Sequence, residues 1–228
     1  MITIENAGVR RFIRFAFPFV IIPVFAFLGA AVFDNSKHLL ISLGVAVMTL
    51  FVFISGYERK KTGTRRMVIA SVLIALCVFG RFIPLFKPIT AITIITGMYL
   101  GGETGFLVGS MSAVISNIFV GQGPWTAFQM LAWGLIGLIA GLAAEPLKKH
   151  RSLLLAYGAV SGIAYSFIMD IWTTLWYSGG FDSSVYLSAL VTAIPYTVSY
   201  AVSNFIFLLL LAKPFGEKLE RLHIKYGV

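Results

Sequence analysis

The chain has 228 residues, of which 58% are hydrophobic and only 12% are charged, and its formal net charge is +9. This composition excludes an ordinary water-soluble domain and indicates an integral membrane protein. The basic residues cluster between long apolar runs, where they report orientation and contact with anionic headgroups, so nucleic-acid binding is not expected. The single cysteine, Cys77, lies inside an apolar run, which excludes a disulfide framework and a cysteine metal site.

Eight apolar segments follow one another, without the alternating pattern of a membrane β-barrel. Most can cross a hydrocarbon core of roughly 30 Å as helices. The fourth reaches only ~20 Å, so it is expected to be tilted, extended or partly re-entrant. The first follows a cluster of arginines but is too long for a signal peptide and lacks a clear cleavage site, so we expect a retained helix. We predict an all-α transmembrane helical bundle with segments at 12–33, 38–56, 67–83, 88–100, 104–120, 125–144, 152–177 and 187–212.

Alternate connections between these segments are basic, which indicates the cytoplasmic side. This pattern predicts eight spans with both termini cytoplasmic, provided that the short turn Gly101 to Thr104 also lies inside. The longest basic loop, residues 57–66, separates two helices from six. We therefore predict an N-terminal two-helix hairpin with its loop (1–66), a six-helix core (67–212) and a cytoplasmic tail (213–228).

Polar residues within the segments concentrate in the outer half of the predicted bundle. An ionisable side chain in a membrane helix is costly and normally faces a cavity or a partner, which applies here to Arg81 and Asp170. Four segments bring aromatic, amide and charged groups to one depth, as expected for the site of an amphipathic organic ligand. The predicted binding residues are Arg81, Asn117, Gln122, Trp125, Gln129, Asp170, Trp176 and Tyr196.

Structural explanations compete with this site. Asp170 would also suit an interhelical salt bridge, and Arg81 would also suit snorkelling to the interface. Trp125 and Trp176 would also suit an interfacial aromatic belt. In the inner half, small residues four apart permit close helix contact, either within the bundle or with another membrane subunit. These pairs are Ser71 with Ala75, Gly105 with Gly109, and Gly137 with Gly141.

Catalytic signatures are missing from the sequence. The histidines lie at segment ends or in the tail, and there is no HExxH motif, no pair of intramembrane aspartates and no nucleotide-binding glycine loop. We expect neither an enzyme nor a resident metal or cofactor, and the chain cannot couple transport to ATP alone. Asp170 would be the residue of a proton-coupled permease, but no inverted repeat flanks it.

The six-helix block resembles the substrate-binding S components of energy-coupling factor (ECF) transporters, which take up vitamins in bacteria. The resemblance is most specific in the asparagine, "GQGPW" turn and "WGLIGLIAG" run between Asn117 and Gly141. Among the subfamilies, the chain is most similar to those assigned to cobalamin uptake.

This resemblance implies an outward-opening pocket in a six-helix bundle, which associates with a membrane T component and two ATP-binding subunits. The family's docking motif, alanines four apart on the first core helix, would fall on Ser71 and Ala75 with Ala70 adjacent. Serine in place of the first alanine departs from the family pattern.

The sequence thus predicts a vitamin-binding S component in the bacterial cell membrane, with cobalamin or a related corrinoid as the first choice. Thiamine, riboflavin, folate, biotin and a queuosine precursor stay open as ligands. The alternatives of other classes are a stand-alone proton-coupled permease using Asp170, and a structural or assembly protein without a ligand.

Overall fold

The computed structural model describes residues 6–32, 38–55, 63–84 and 86–226, and all regular elements in these ranges are helical. The predicted outer connection at 34–37 and most of the basic loop at 57–66 lie outside the described residues. The helices are α1 (Ala7–Ala16), a π-helical turn (Phe17–Ile21), α2 (Ile22–Val32), α3 (His38–Ser55), α4 (Gly63–Gly80), α5 (Ile89–Leu100), α6 (Gly102–Val120), α7 (Thr126–Leu142), α8 (Ala144–Lys149), α9 (Arg151–Ser178) and α10 (Ser183–Tyr226).

Four helical stretches among the described residues are long and apolar enough to cross a membrane. They are Gly8–Ala30, Gly102–Val120, Arg151–Ser178 and Ile194–Leu222. Shorter apolar helices, including α3, α5 and α7, pack among them. The predicted all-α transmembrane bundle is therefore confirmed.

The first membrane helix is continuous from α1 to α2 through the π-helical turn. Pro18 stands at the start of this turn, and Pro23 follows two residues after its end. A proline inside a helix lacks an N–H and crowds the carbonyl four residues earlier, which for Pro23 is that of Phe19 inside the turn, and a locally widened turn accommodates both effects. The described part of the first predicted segment thus forms one helix despite its two prolines.

The short fourth segment forms α5, whose 12 residues span only ~18 Å. All of its residues except Tyr99 are buried, because α6, α7 and α10 pack around it. Neighbouring helices therefore shield α5 from lipid, so it does not need the length of a lipid-facing span.

Glycines let α5, α6 and α7 touch through their backbones. A Cβ built on Gly105 would lie 2.6 Å from the carbonyl oxygen of Gly137 and 2.8 Å from the Cα of Gly97. A Cβ on Gly137 would in turn lie 2.7 Å from Thr93 Cγ2. The structure thus places the predicted glycine pairs of α6 and α7 in an internal helix interface.

The final helix is longer than the sequence predicts. α10 contains 44 residues and continues through Pro195 and Pro214 into the region predicted as a tail. Its last turns pack on the core, where Gly216 and Leu219 are buried and Gly216 contacts Tyr99. These contacts supply the packing that keeps residues 213–226 helical.

The predicted cytoplasmic elements meet at one end of the bundle. Arg14 of α1 forms an ion pair with Glu103, which lies in the first turn of α6 next to the Gly101 turn. The ammonium group of Lys148 lies 4.6 Å from the ring centroid of Tyr99, at the same end of α5. Arg14, Lys148 and the Gly101 turn therefore share one end, as the predicted orientation requires.

The Arg14–Glu103 pair connects the N-terminal hairpin to the core, so we expect Arg14→Gln to loosen this junction. The Glu103 side chain is only 6% exposed, whereas that of Arg14 is 43% exposed. The free energy of unfolding should fall by about 1–3 kcal/mol, which lies between the effect of breaking a surface ion pair and that of breaking a buried one. Thermal unfolding in detergent measures it, and Arg11→Gln, at an exposed position on the same helix, is the matched control. Equal melting temperatures for both variants would show that the pair contributes nothing.

Candidate functional site

At the outer end of the bundle, the first residue of α5 lies well below the tip of the α9–α10 hairpin. We call the space above α5 the stepped region. The backbone N–H of Lys87, just before α5, donates to Ser203 Oγ at 3.0 Å. From Ser203, α10 continues outward for ~30 Å to its first residue. The region above α5 is therefore flanked by projecting parts of α9 and α10, which carry Asp170, Trp176 and Tyr196.

A network of amide and hydroxyl groups joins α6, α7 and α9 at the level of this step. Asn117 Nδ2 donates to Thr126 Oγ1 and to Gln129 Oε1, both at 2.8 Å. Gln129 Nε2 donates to the Tyr165 hydroxyl at 3.2 Å. Asn117 and Thr126 have no exposed surface, and Gln129 is 7% exposed. We call these four residues, Asn117, Thr126, Gln129 and Tyr165, the polar network.

Aromatic rings continue the polar network across the bundle. The rings of Trp133 and Tyr165 are stacked with centroids 4.8 Å apart, and Tyr200 meets Tyr165 edge-on at 5.2 Å. The guanidinium of Arg81 lies 5.5 Å from the centroid of a Trp133 ring, within cation–π range. Three helices thus contribute to one aromatic cluster, defined as Trp133, Tyr165 and Tyr200, and Arg81 of the α4–α5 connection contacts it.

Positive charge gathers beside this cluster. Arg81 Nη1 donates to Ser116 Oγ at 2.6 Å, which holds the guanidinium against α6. Burial, together with the nearby guanidinium of Arg81, lowers the pKa of Lys87 from its ordinary value. The α4–α5 connection therefore directs two basic side chains toward the stepped region.

A second set of rings lies farther out. Trp125, before α7, meets Trp172 of α9 edge-on at 5.5 Å, and Trp172 lies 5.8 Å from Trp176. Trp125 and Trp172 are half-buried, whereas Trp176 is 44% exposed. These three rings, which we call the outer rings, connect the α6–α7 connection to α9. The outermost of them, Trp176, stays accessible.

Several buried polar atoms in this region have no hydrogen-bond partner among the described residues. They are Arg81 Nε, Asn117 Oδ1, Asp170 Oδ2 and Thr174 Oγ1. Asp170 and Thr174 lie one turn apart on α9 and therefore share a face. Buried polar groups are normally satisfied, and leaving one without a partner costs about 1–3 kcal/mol. Unsatisfied groups gathered in the outer half of the bundle are expected where a bound molecule completes the hydrogen bonds.

The structure brings most of the predicted site residues together. Asn117 and Gln129 belong to the polar network, and Gln122 accepts from Thr126 Oγ1 at 3.0 Å while donating to the Val114 carbonyl at 2.7 Å. Arg81 contacts the aromatic cluster, and Trp125 and Trp176 belong to the outer rings. Asp170 is 7% exposed on α9, whereas Tyr196 is 67% exposed on α10 and lies farther outward than Tyr200.

Sequence analysis missed the residues that link these groups, namely Thr126, Trp133, Tyr165 and Tyr200. A signal existed for two of them, because Thr126 and Trp133 lie three and four residues from Gln129 and share its helix face. Tyr165 lies in an apolar run, and only its contact with Gln129 distinguishes it from a core aromatic residue.

The predicted docking residues on α4 divide between two faces. Ala70 is 1% exposed and belongs to the hydrophobic core. Ser71 and Ala75 are exposed on the opposite face, beside exposed Val72 and Leu76. α4 packs against α5 and α6, whereas α3 packs against α6 and α7. The Ser71–Ala75 face is therefore open to another membrane protein.

A protein-family model described as the S component of the ECF-type riboflavin transporter matches residues 61–221. The match begins just before α4, covers the stepped region completely and ends within α10. No curated protein and no solved structure matches the chain. Because the family match covers more than two thirds of the 228 residues, the chain belongs to the family of ECF-type transporter S components.

Proposed function

We propose that this S component binds a vitamin with a planar aromatic ring system, with riboflavin as first choice, in the stepped region. As a member of its family it is a multi-pass cell-membrane protein and the substrate-specific part of an ECF importer. The unsatisfied polar atoms of Arg81, Asn117, Asp170 and Thr174 carry the proposal. They lie in the outer half of the bundle, beside the aromatic cluster and the outer rings, so that a flat ligand with polar edges would stack and accept or donate hydrogen bonds at once.

The choice of riboflavin departs from our first expectation of cobalamin. The description of the matched family names riboflavin, which was among the alternatives. The chemistry of the site also favours a flat ligand. Trp133 and Tyr165 are stacked, and the amides of the polar network are buried beside them, whereas a corrinoid would need a wide cavity.

Growth and uptake measurements test this proposal. Cells lacking other vitamin importers should accumulate labelled riboflavin when this chain is produced together with the T component and ATP-binding subunits of an ECF transporter. Accumulation should stop when the ATP-binding subunits are inactivated. Uptake by the lone chain that follows a proton gradient would favour the permease alternative, and uptake of cobalamin alone would restore our first choice.

For the partner, we propose that the exposed face of α4 contacts the T component through Ser71 and Ala75. Small side chains let two membrane helices approach closely. Both residues are exposed, and the neighbouring Val72 and Leu76 are exposed and apolar, so the face is suited to contact with another membrane helix.

We therefore expect Ala75→Trp to reduce vitamin uptake at least about tenfold while leaving vitamin affinity unchanged, because a bulky ring would block close helix contact. Co-purification with the T component and vitamin binding by the isolated chain are the two readouts. Val160→Trp, at a position 60% exposed on α9 and away from this face, is the control. Unimpaired uptake by the Ala75 variant would place the interface elsewhere.

A further inference from the structure

A basic cavity at the cytoplasmic end of the bundle, remote from the vitamin site, has no role in the function proposed above. It has a volume of about 260 Å³ and lies between α5, α8, α9 and α10. Lys148, Arg151 and Lys213 contribute to its lining, and no carboxylate of the described residues does. Glu217 and Glu220 act electrostatically on Tyr99 nearby but do not line the cavity. The cavity is therefore suited to an anion.

Two of these cations are held in place by the fold. The Lys148 ammonium group lies 4.6 Å from the centroid of the Tyr99 ring, in cation–π contact. Arg151 Nη2 donates to the carbonyl of Leu209 at 3.1 Å. A guanidinium has five N–H donors, so this bond leaves others for a ligand. Fixed cations with free donors are well suited to recognise a phosphate group.

The rest of the cavity wall is apolar and lies beside lipid-facing surface. Met98, Leu154 and Leu208 line the cavity and are buried, whereas Leu209 is 39% exposed and its neighbour Leu210 is 62% exposed. The cations lie at the cytoplasmic rim and the leucines toward the bilayer. This order of charge followed by apolar surface matches a phospholipid, with its headgroup at the rim and its chains along α10.

The size of the cavity also favours a lipid headgroup. Pockets that enclose a whole small molecule usually measure about 300–1,000 Å³. A cavity of about 260 Å³ is smaller, but it is adequate for a phosphate and glycerol whose acyl chains remain outside. Basic pockets between membrane helices on the cytoplasmic side are known to bind anionic headgroups.

We propose that this cavity is a binding site for an anionic phospholipid of the inner leaflet, with the lipid phosphate held by Lys148, Arg151 and Lys213. Such a lipid would bridge α5, α8, α9 and α10. The proposal depends on the cytoplasmic position of this end of the bundle and not on the identity of the vitamin.

Native mass spectrometry of the full chain in detergent, titrated with phosphatidylglycerol or phosphatidylcholine, tests the site. The wild type should retain one phosphatidylglycerol about tenfold more tightly than phosphatidylcholine. Lys148→Gln combined with Lys213→Gln should lose most of this preference, since each cation near a membrane surface contributes roughly a fivefold effect. Lys218→Gln combined with Arg221→Gln is the control, because it removes the same charge from exposed positions outside the cavity.

Three outcomes would overturn the proposal. An equal loss in the control would mean that the lipid responds only to overall charge. Displacement of phosphatidylglycerol by glycerol phosphate at equal concentration would assign the cavity to a soluble anion. Unchanged lipid preference in the cavity variant would show that Lys148 and Lys213 do not hold the lipid phosphate.

Discussion

Asp170→Asn is expected to weaken vitamin binding about 10- to 100-fold without destabilising the fold. Asp170 is buried, and its Oδ2 has no hydrogen-bond partner among the described residues. A bond from the ligand to this oxygen would contribute about 1–3 kcal/mol, which corresponds to the expected loss. Asparagine has the same shape without the ionisable group, so the unliganded protein should unfold at an equal or higher temperature. Equilibrium binding and thermal unfolding of the purified chain measure the two effects.

The pair of readouts separates a binding role for Asp170 from a structural one. If Asp170 stabilised the bundle through a salt bridge, Asp170→Asn would lower the unfolding temperature. Asp182→Asn is the control, because Asp182 lies in the exposed outer connection and accepts hydrogen bonds from Ser184 and Val185. Those bonds, that from the Ser184 side chain foremost, lower the pKa of Asp182, and asparagine can still accept them. Unchanged affinity of the Asp170 variant would remove this residue from the site.

Gly137→Ala is expected to destabilise the bundle by about 1–2 kcal/mol. A methyl group there would overlap Thr93 and the backbone of Gly105, neither of which can move without separating α5, α6 and α7. Forcing extra volume into a packed interior usually costs about 1–3 kcal/mol. Alanine is intrinsically better than glycine in a helix by about 1 kcal/mol, which acts in the opposite direction. We expect overpacking to dominate because the two closest contacts are with backbone atoms of Gly105.

Thermal unfolding and the yield of folded protein in detergent measure this effect. Gly180→Ala is the matched control, because nothing lies within 4 Å of a Cβ built at Gly180 and its backbone is not left-handed. The control should unfold at the wild-type temperature. A Gly137→Ala variant as stable as the control would show that the three helices can separate at little cost.

Sequence periodicity and composition predicted the helical class because apolar helices in lipid satisfy their own backbone hydrogen bonds. The glycine spacing on α6 and α7 predicted close helix contact, but it did not distinguish internal packing from docking. Whether the glycines pack within the bundle or against another subunit depends on which helix faces them. Residue spacing within one helix carries no information on that neighbour. Gly105 and Gly137 face each other only because α6 and α7 are antiparallel neighbours.

Helix boundaries were predicted less well, because tertiary contacts override local signals. Pro214 should favour an end to α10, yet Gly216 and Leu219 pack on the core and the helix continues. The shortness of α5 suggested a tilted or re-entrant segment. It is explained by neighbours that bury the helix, which a single-segment argument cannot anticipate.

The candidate site was partly predictable. Polar residues such as Asn117, Gln129 and Asp170 are costly inside apolar helices, so the sequence alone marks them as candidates. Tyr165 and Trp133 do not, since aromatic residues also fill ordinary cores. Their role follows from three-dimensional contacts, namely the hydrogen bond from Gln129 and the stacked rings.

The most direct test of a vitamin-binding role is to identify the small molecule that co-purifies with this chain in the absence of its partners. Mass spectrometry and visible absorption of the extracted ligand distinguish a flavin from a corrinoid, and both are coloured. We predict near-stoichiometric riboflavin with the wild-type chain and a much reduced amount with Asp170→Asn. A purified, folded wild-type chain that carries no vitamin, and that binds neither riboflavin nor cobalamin when they are supplied, would contradict the vitamin-binding role.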